Sequence, residues 1–170
     1  ILKISNLSEK DIEFKRNYLN KFIEAGFPNK KLENWKFLDL SQIIKREIED
    51  LSFYNDYSIT NKIDTSIFID GLEHNKIIFI NGRIEKIDFN YEDKNQIEIF
   101  DDVNVKDKFD NKNSLIDLNN AFRNKYYKIL VNKGYQIKKP LIIYHLTNDK
   151  MKSKNINLRL DFELEQKSSL

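Results

Sequence analysis

Apolar residues recur along this chain first with a helical period and later with a strand period, and the changes of period divide it. Ile12, Leu19 and Ile23, flanked by Phe14, Tyr18 and Phe22, are spaced for one face of a helix over 9–25. Ser8-Glu9-Lys10-Asp11 has capping-box spacing with Asp at the fourth position. Gly26 suits the position just past the helix, and Pro28 stops it from resuming. A second helix is expected over 37–48, with Leu40, Ile43, Ile44 and Ile48 facing inward. Residues 51–65 are polar and aromatic without a period and read as connecting structure.

Beyond this the period shortens. A short strand is expected at 66–69, and 76–80, Asn81-Gly82 and 83–89 read as a hairpin. Asn-Gly supplies the two positive-φ positions of a type I′ turn, whose twist matches that of paired strands. Polar loops at 90–96 and 101–113 flank 97–100, which is expected to pair on a sheet edge. A helix follows over 114–124, with Leu115, Leu118 and Phe122 on one side and Ala121 permitting close approach. Strands are expected at 128–131 and 141–146, with a turn at Lys133-Gly134. Finally, Ile156, Leu158, Leu160, Phe162 and Leu164 alternate with Asn157, Arg159, Asp161, Glu163 and Glu165, the pattern of a strand with one buried and one wet face. The pattern as a whole supports an α+β class. It divides into a helical cap (1–50), a strand and hairpin connecting region (51–113), and a helix with further strands (114–170).

Composition narrows the function classes. The 170 residues carry 29 Lys and Arg against 27 Asp and Glu, interspersed, so there is no basic stripe of the kind a nucleic-acid binder presents. With 40% hydrophobic and 12% aromatic residues the chain has the means to build a core. No cysteine is present, which removes disulfides, thiolate ligands and a cysteine nucleophile, and is compatible with a reducing cytoplasm. The longest apolar runs, 77–80 and 140–144, are far shorter than the roughly 20 residues of a membrane span, and the first residues lack a signal-peptide pattern. The chain is therefore expected to be soluble and cytoplasmic. It starts at Ile1 and stops directly after a patterned strand, which suggests the front portion of a longer protein.

Few side chains offer chemistry. Trp35 and Phe37 are expected to pin the segment after the first helix back onto it, near Phe14 and Phe22, rather than to stand in solvent. His74 lies in a polar loop beside Glu73 and is expected to be solvated. His145 ends an apolar strand and is expected to be a hydrogen-bonded strand-end residue. Two such isolated histidines and no cysteine argue against a metal site within this segment. Asp161, Glu163 and Glu165 have the spacing to hold a hard cation or do acid–base work, but such a row is ordinarily a solvated strand face, here with Arg159 beside it. The four glycines, at 26, 71, 82 and 134, form no phosphate loop. No catalytic constellation emerges.

Three segments carry a resemblance. Gly26-Phe27-Pro28, then Lys30-Lys31, Glu33, Trp35-Lys36-Phe37 and Asp39-Leu40 are similar to the Pro, two basic residues, Glu, Trp-Lys-aromatic and Asp-Leu that follow the first helix in the SufB/SufD family of iron–sulfur cluster assembly proteins, its SufD members in particular. Phe79-Ile80-Asn81-Gly82 resembles the family's Phe-x-Asn-Gly hairpin, and Leu118-Asn119-Asn120-Ala121-Phe122 its Leu-Asn-x-Ala-Phe element, followed as in the family by strand, Gly134, Pro140 and strand. The order agrees over nearly the whole chain. Two departures stand out: Lys125-Tyr126 replaces a frequent Asp-Gly, and no Pro-Arg or His-Arg pair precedes 158. The resemblance implies a helical cap, a hairpin-bearing connection and the opening strands of a right-handed parallel β-helix. It also implies a non-catalytic scaffold subunit working with a SufB-like subunit and the SufC-like ATPase, through parts of the chain mostly beyond these residues. No cluster ligand or catalytic residue is implied within them, and an iron–sulfur cluster is implied only for the full complex. Two other readings stand beside it: a polysaccharide-processing β-helix enzyme using the 161–165 carboxylates with a divalent cation, and a standalone binding module displaying Trp35 and Phe37.

Overall fold

The computed structural model describes residues 8–38, 40–44, 46, 52–53, 65–101, 113–123 and 125–170. The helices are α1 (Glu9–Ala25), α2 (Leu40–Ile43) and α3 (Ser114–Phe122). The strands are β1 (Ser52–Phe53), β2 (Asn75–Ile80), β3 (Arg83–Asp88), β4 (Ile97–Asp101), β5 (Lys125–Val131), β6 (Leu141–Leu146), β7 (Lys154–Asn155) and β8 (Leu158–Leu164).

α1 begins where the capping box places it: the Asp11 N–H donates to Ser8 Oγ, and the Ser8 N–H donates back to the Asp11 carboxylate, both at 3.2 Å. It ends at Gly26, whose φ of 68° few other residues adopt and whose N–H closes on the Phe22 carbonyl at 2.7 Å. The β2–β3 hairpin turns on Asn81 (φ 49°) and Gly82 (φ 80°), the positive pair that a type I′ turn needs, with a register shift between Ile78 and Phe79.

Two three-stranded mixed sheets, β3-β2-β6 and β4-β5-β8, supply the core, and β1 and β7 form a short parallel pair. The hairpin partners β2–β3 and the pair β4–β5 are antiparallel, whereas β2–β6 and β5–β8 are parallel. The chain leaves β5, crosses to β6 in the other sheet, passes through β7, and returns as β8 beside β5. Lys125 lies opposite Leu158 and, further on, Gln136 bridges Ser169 at the same sequence separation. Ile77 and Phe79 of β2 meet Tyr127 and Ile129 of β5 in one fully buried cluster, with the Phe79 and Tyr127 rings edge to face at 5.4 Å. Burial of each such side chain contributes about 1.5–3 kcal/mol.

α1 packs on α3. Lys15, buried, donates from Nζ to the Arg123 carbonyl at 2.5 Å, placing an ammonium at the C-terminal end of α3 where the helix dipole favours a cation.

Several expectations need correction. Residues 66–69 are not a strand: Thr65–Ile67 is a 3-10 turn, and the Ile69 N–H donates to the Tyr144 hydroxyl instead of entering a ladder. The hydroxyl thus takes an amide that a ladder would have used. The second helix does not start at Phe37. A 3-10 turn over Glu33–Trp35 is followed by a turn closed by the Leu38 N–H on the Trp35 carbonyl, and α2 begins at Leu40. Asp39, Ile48, and most of the connecting stretch 51–65 and the loop 101–113 lie outside the described residues. β5 begins three positions before its expected start, because Tyr126 and Tyr127 are themselves buried. Ile23 faces solvent rather than the helix interface. On β8 the apolar face is closed at Leu158 and Leu160, which join the core, but Phe162 and Leu164 are 40% and 46% exposed, while Arg159 and Asp161 on the opposite face are half-buried. β8 is an outermost strand, and alternation specifies a face without specifying what covers it.

Candidate functional site

The densest polar arrangement sits where α3 meets the β5–β8 pair. Arg159 and Asp161, two apart on β8, share a face, and register sets Tyr126 of β5 beside Arg159 on that same face. Arg159 grips Asp161 with both arms of its fork, Nε to Oδ1 at 2.9 Å and Nη2 to Oδ2 at 3.1 Å. The Tyr126 hydroxyl donates to Asp161 Oδ2 at 2.9 Å. From α3, the buried Asn120 offers Oδ1 to both Arg159 and Arg123, at 3.3 and 3.2 Å. The Arg123 guanidinium lies over the rings of Phe14 and Tyr126, so α1 joins the cluster too.

The charges follow from this geometry. Burial pushes the Asp161 carboxyl up, but hydrogen bonds from Arg159 and Tyr126 and the two guanidinium charges outweigh it, and the net shift is downward. Burial, with the Asp161 carboxylate alongside, pushes the Tyr126 phenol up to about 12. An ionised carboxylate that already accepts three hydrogen bonds and a phenol that keeps its proton make a poor base and a poor nucleophile. Chemically the cluster is a clamp that fastens the helices to the sheet.

The rest of the carboxylate row is divided among separate partners. Glu163 pairs with Lys128 of β5 at 2.5 Å, and Glu165 accepts the Lys133 N–H at 2.8 Å. Among the described residues no group of three His, Asp or Glu side chains is placed to hold a metal ion.

Both histidines differ from expectation. His74 is buried, 2% exposed, not solvated. Its Nδ1 lies 2.6 Å from the Leu72 carbonyl, which can only accept, so Nδ1 donates there, and Nε2 lies within hydrogen-bond distance of the Tyr144 hydroxyl at 2.8 Å. His145 is held by ring stacking on Phe79, 4.8 Å between centroids and 8° from parallel, in place of the expected hydrogen bond, and burial keeps its pKa below the usual value.

Two of the three family-like segments converge. Asn81 exchanges side-chain and backbone bonds with Asn148, Gly82 abuts Ile156, and Asn119 donates from Nδ2 to the Leu158 carbonyl at 3.2 Å. The hairpin turn and α3 thus flank the approach to β8, with Ala121 fully buried and Phe122 half-buried. The third segment is different. Pro28 is buried, Phe27 meets Phe22 edge to face at 4.9 Å, and Glu33 pairs with Lys36. Trp35 is half-buried, but Phe37 is 91% exposed and does not pin the segment onto α1. Phe27, not Phe37, closes onto α1.

Sequence reasoning missed a second polar hub. Glu92 accepts from Asn75 Nδ2 at 2.6 Å, from the Tyr135 hydroxyl at 2.7 Å, and from the N–H groups of Lys138 and Lys139. Its donors are spread from the start of β2 to the turn before β6, so no local spacing announces it. No protein-family model and no curated protein matches this chain.

Proposed function

We propose that this chain is a non-catalytic scaffold segment of an iron–sulfur cluster assembly complex of the SUF type, the N-terminal part of a SufD-like subunit that works with SufB-like and SufC-like partners. One observation carries the reading: β8 returns parallel to β5 after a single excursion through the other sheets, at the separation repeated by Gln136 and Ser169. Stacked coils of a parallel β-helix need this relationship, and the order of the three family-like segments is the order in which that architecture would use them. In this reading the outer edges of β6 and β8 receive further parallel strands, and the clamp of Arg159, Asp161, Tyr126 and Asn120 fixes the helical cap to the first coil. The chain itself supplies structure and no chemistry; a cluster belongs to the assembled complex.

The polysaccharide-processing alternative draws less support, since Asp161, Glu163 and Glu165 are each engaged by a different cation or N–H. The test is co-expression of the complete polypeptide carrying this chain with SufB-like and SufC-like subunits, followed by size-exclusion chromatography. A stoichiometric complex is expected. Elution of the polypeptide alone overturns the proposal.

A further inference from the structure

The turn of the β2–β3 hairpin is also the chain's one Asn-Gly pair. In that dipeptide the glycine nitrogen, with no Cβ beside it to block the approach, can attack the asparagine side-chain carbonyl. The N–Cγ bond forms, the proton of the attacking amide passes to Nδ2, and ammonia leaves, which closes a succinimide ring. Water then opens the ring at either carbonyl. One opening returns aspartate; the other reroutes the main chain through Cγ and gives isoaspartate.

The fold holds this reaction back. Asn81 is 6% exposed. Nδ2, the atom that must leave, donates to Asn148 Oδ1 at 2.9 Å, and Asn81 Oδ1 accepts from the Asn148 N–H at 3.2 Å. Asn148 is itself fixed, since its Oδ1 also accepts the Lys150 N–H at 3.1 Å and so caps the 3-10 turn over Asp149–Met151. The Asn81 N–H donates to the Leu146 carbonyl, which anchors the backbone as well. Ring closure therefore waits on local opening of this contact. The products do not fit where the asparagine was. A carboxylate has no proton to give Asn148 Oδ1, so two acceptors face each other. Isoaspartate also lengthens the backbone of a turn without slack, because Gly82 has no room for even a Cβ against Ile156. We infer that Asn81 is a deamidation site held shut by Asn148, and that its conversion unfastens the hairpin turn from the segment leading into β8. This inference stands apart from the scaffold reading, because it uses only the turn and its contacts.

The test incubates the full chain at mildly alkaline pH beside a synthetic peptide of residues 77–86 and follows position 81 by mass spectrometry. The full chain is expected to convert at least about tenfold more slowly than the peptide, because two hydrogen bonds must open first. Asn148→Ala should speed conversion about three- to tenfold, the effect of losing one such bond. The milder Asn148→Ser keeps a cap for the 3-10 turn but withdraws the acceptor from Asn81, and should do the same with the fold retained. Asn148→Asp keeps an acceptor for both N–H groups and should convert at the parent's rate. Aged chain, resolved from the parent by ion exchange, should exchange its amides faster over 148–164 while α1 is unchanged. Conversion as fast as in the peptide, an Asn148→Ser variant as slow as the parent, or an Asn148→Asp variant as fast as Asn148→Ser overturns the inference. So does aged chain that keeps the parent's protection over 148–164.

Discussion

A Cβ added to Gly82 would stand 2.5 Å from Cγ2 of Ile156, so the turn of the β2–β3 hairpin presses directly on the segment that leads into β8. Gly82 is required twice, for its φ of 80° and for this approach. Gly82→Ala should destabilise the fold by about 2–5 kcal/mol, combining about 1–2 for the left-handed backbone with about 1–3 for overpacking. Adding Ile156→Ala should recover part of the steric loss and none of the backbone strain. Urea denaturation of the single and double variants measures both. Additive losses would mean that the two residues do not communicate.

Phe37 and Trp35 separate display from packing. Phe37→Ala should leave stability within about 0.5 kcal/mol of the parent, as for a surface site. Trp35→Ala, at a half-buried position, should cost about 1.5–2.5 kcal/mol, roughly half the value for deleting a fully packed aromatic. Paired denaturation curves settle it; equal losses would place both rings in the same packed environment.

These contrasts mark what could be read from the chain alone. The hairpin turn, the capping box of α1 and the helix over 114–122 were legible because each depends on residues within a few positions of one another: positive φ at Asn81-Gly82, reciprocal bonds between Ser8 and Asp11, one apolar side on α3. His74 was illegible because the hydroxyl that satisfies it belongs to Tyr144, 70 residues away. The β5–β8 clamp was half legible. Arg159 beside Asp161 could be seen, but not that Tyr126 and Asn120 would bond to them and turn a solvated face into a half-buried contact. Phe37 misled because an aromatic beside a tryptophan resembles core, and only the turn geometry decides which of the two rings faces in.

The clamp has an alkaline signature. The Tyr126 phenol should titrate at about 12, above the unfolded value near 10. A group whose pKa is raised by folding contributes stability that is fully present below the unfolded value and is lost as pH rises through the folded one. The clamp should therefore weaken between pH of about 10 and 12. Asp161→Asn should lower the Tyr126 pKa yet leave it above 10, since burial is the larger cause. Tyrosinate absorbance, referenced to a Tyr126→Phe variant, reads this directly. An unshifted phenol would remove Asp161 from the clamp.

Glu92 should give the opposite slope. Burial raises its pKa, but hydrogen bonds from Asn75, the Lys138 N–H, Tyr135 and the Lys139 N–H more than offset this and hold it below the ordinary carboxylate value. Its contribution is thus present above the unfolded pKa of about 4.3 and is lost as pH falls through the folded one. Glu92→Gln turns an NH2 toward some of these donors and should cost about 1–3 kcal/mol near neutrality. The gap should narrow on acidification. A gap independent of pH would mean that the carboxylate charge is irrelevant to the hub.

The edge of β8 bears on the scaffold reading. Along a parallel strand, alternate residues direct both N–H and C=O to the same neighbour. The Glu165 N–H donates to the Val131 carbonyl, so by alternation Asp161 and Glu163 also bond β5, while Leu158, Leu160, Phe162 and Leu164 direct their amides away from it. The same edge leaves Phe162 and Leu164 partly uncovered. An unpaired edge with apolar side chains is a template for further strands. In this 170-residue chain the amides of Phe162 and Leu164 should exchange fast and those of Asp161 and Glu163 slowly, and light scattering should detect self-association as concentration rises. Leu164→Lys should reduce that association while leaving α1 and α3 protected. A monodisperse monomer with slow exchange at Phe162 and Leu164 would mean that the edge is already covered, and the stacked-coil reading would fail.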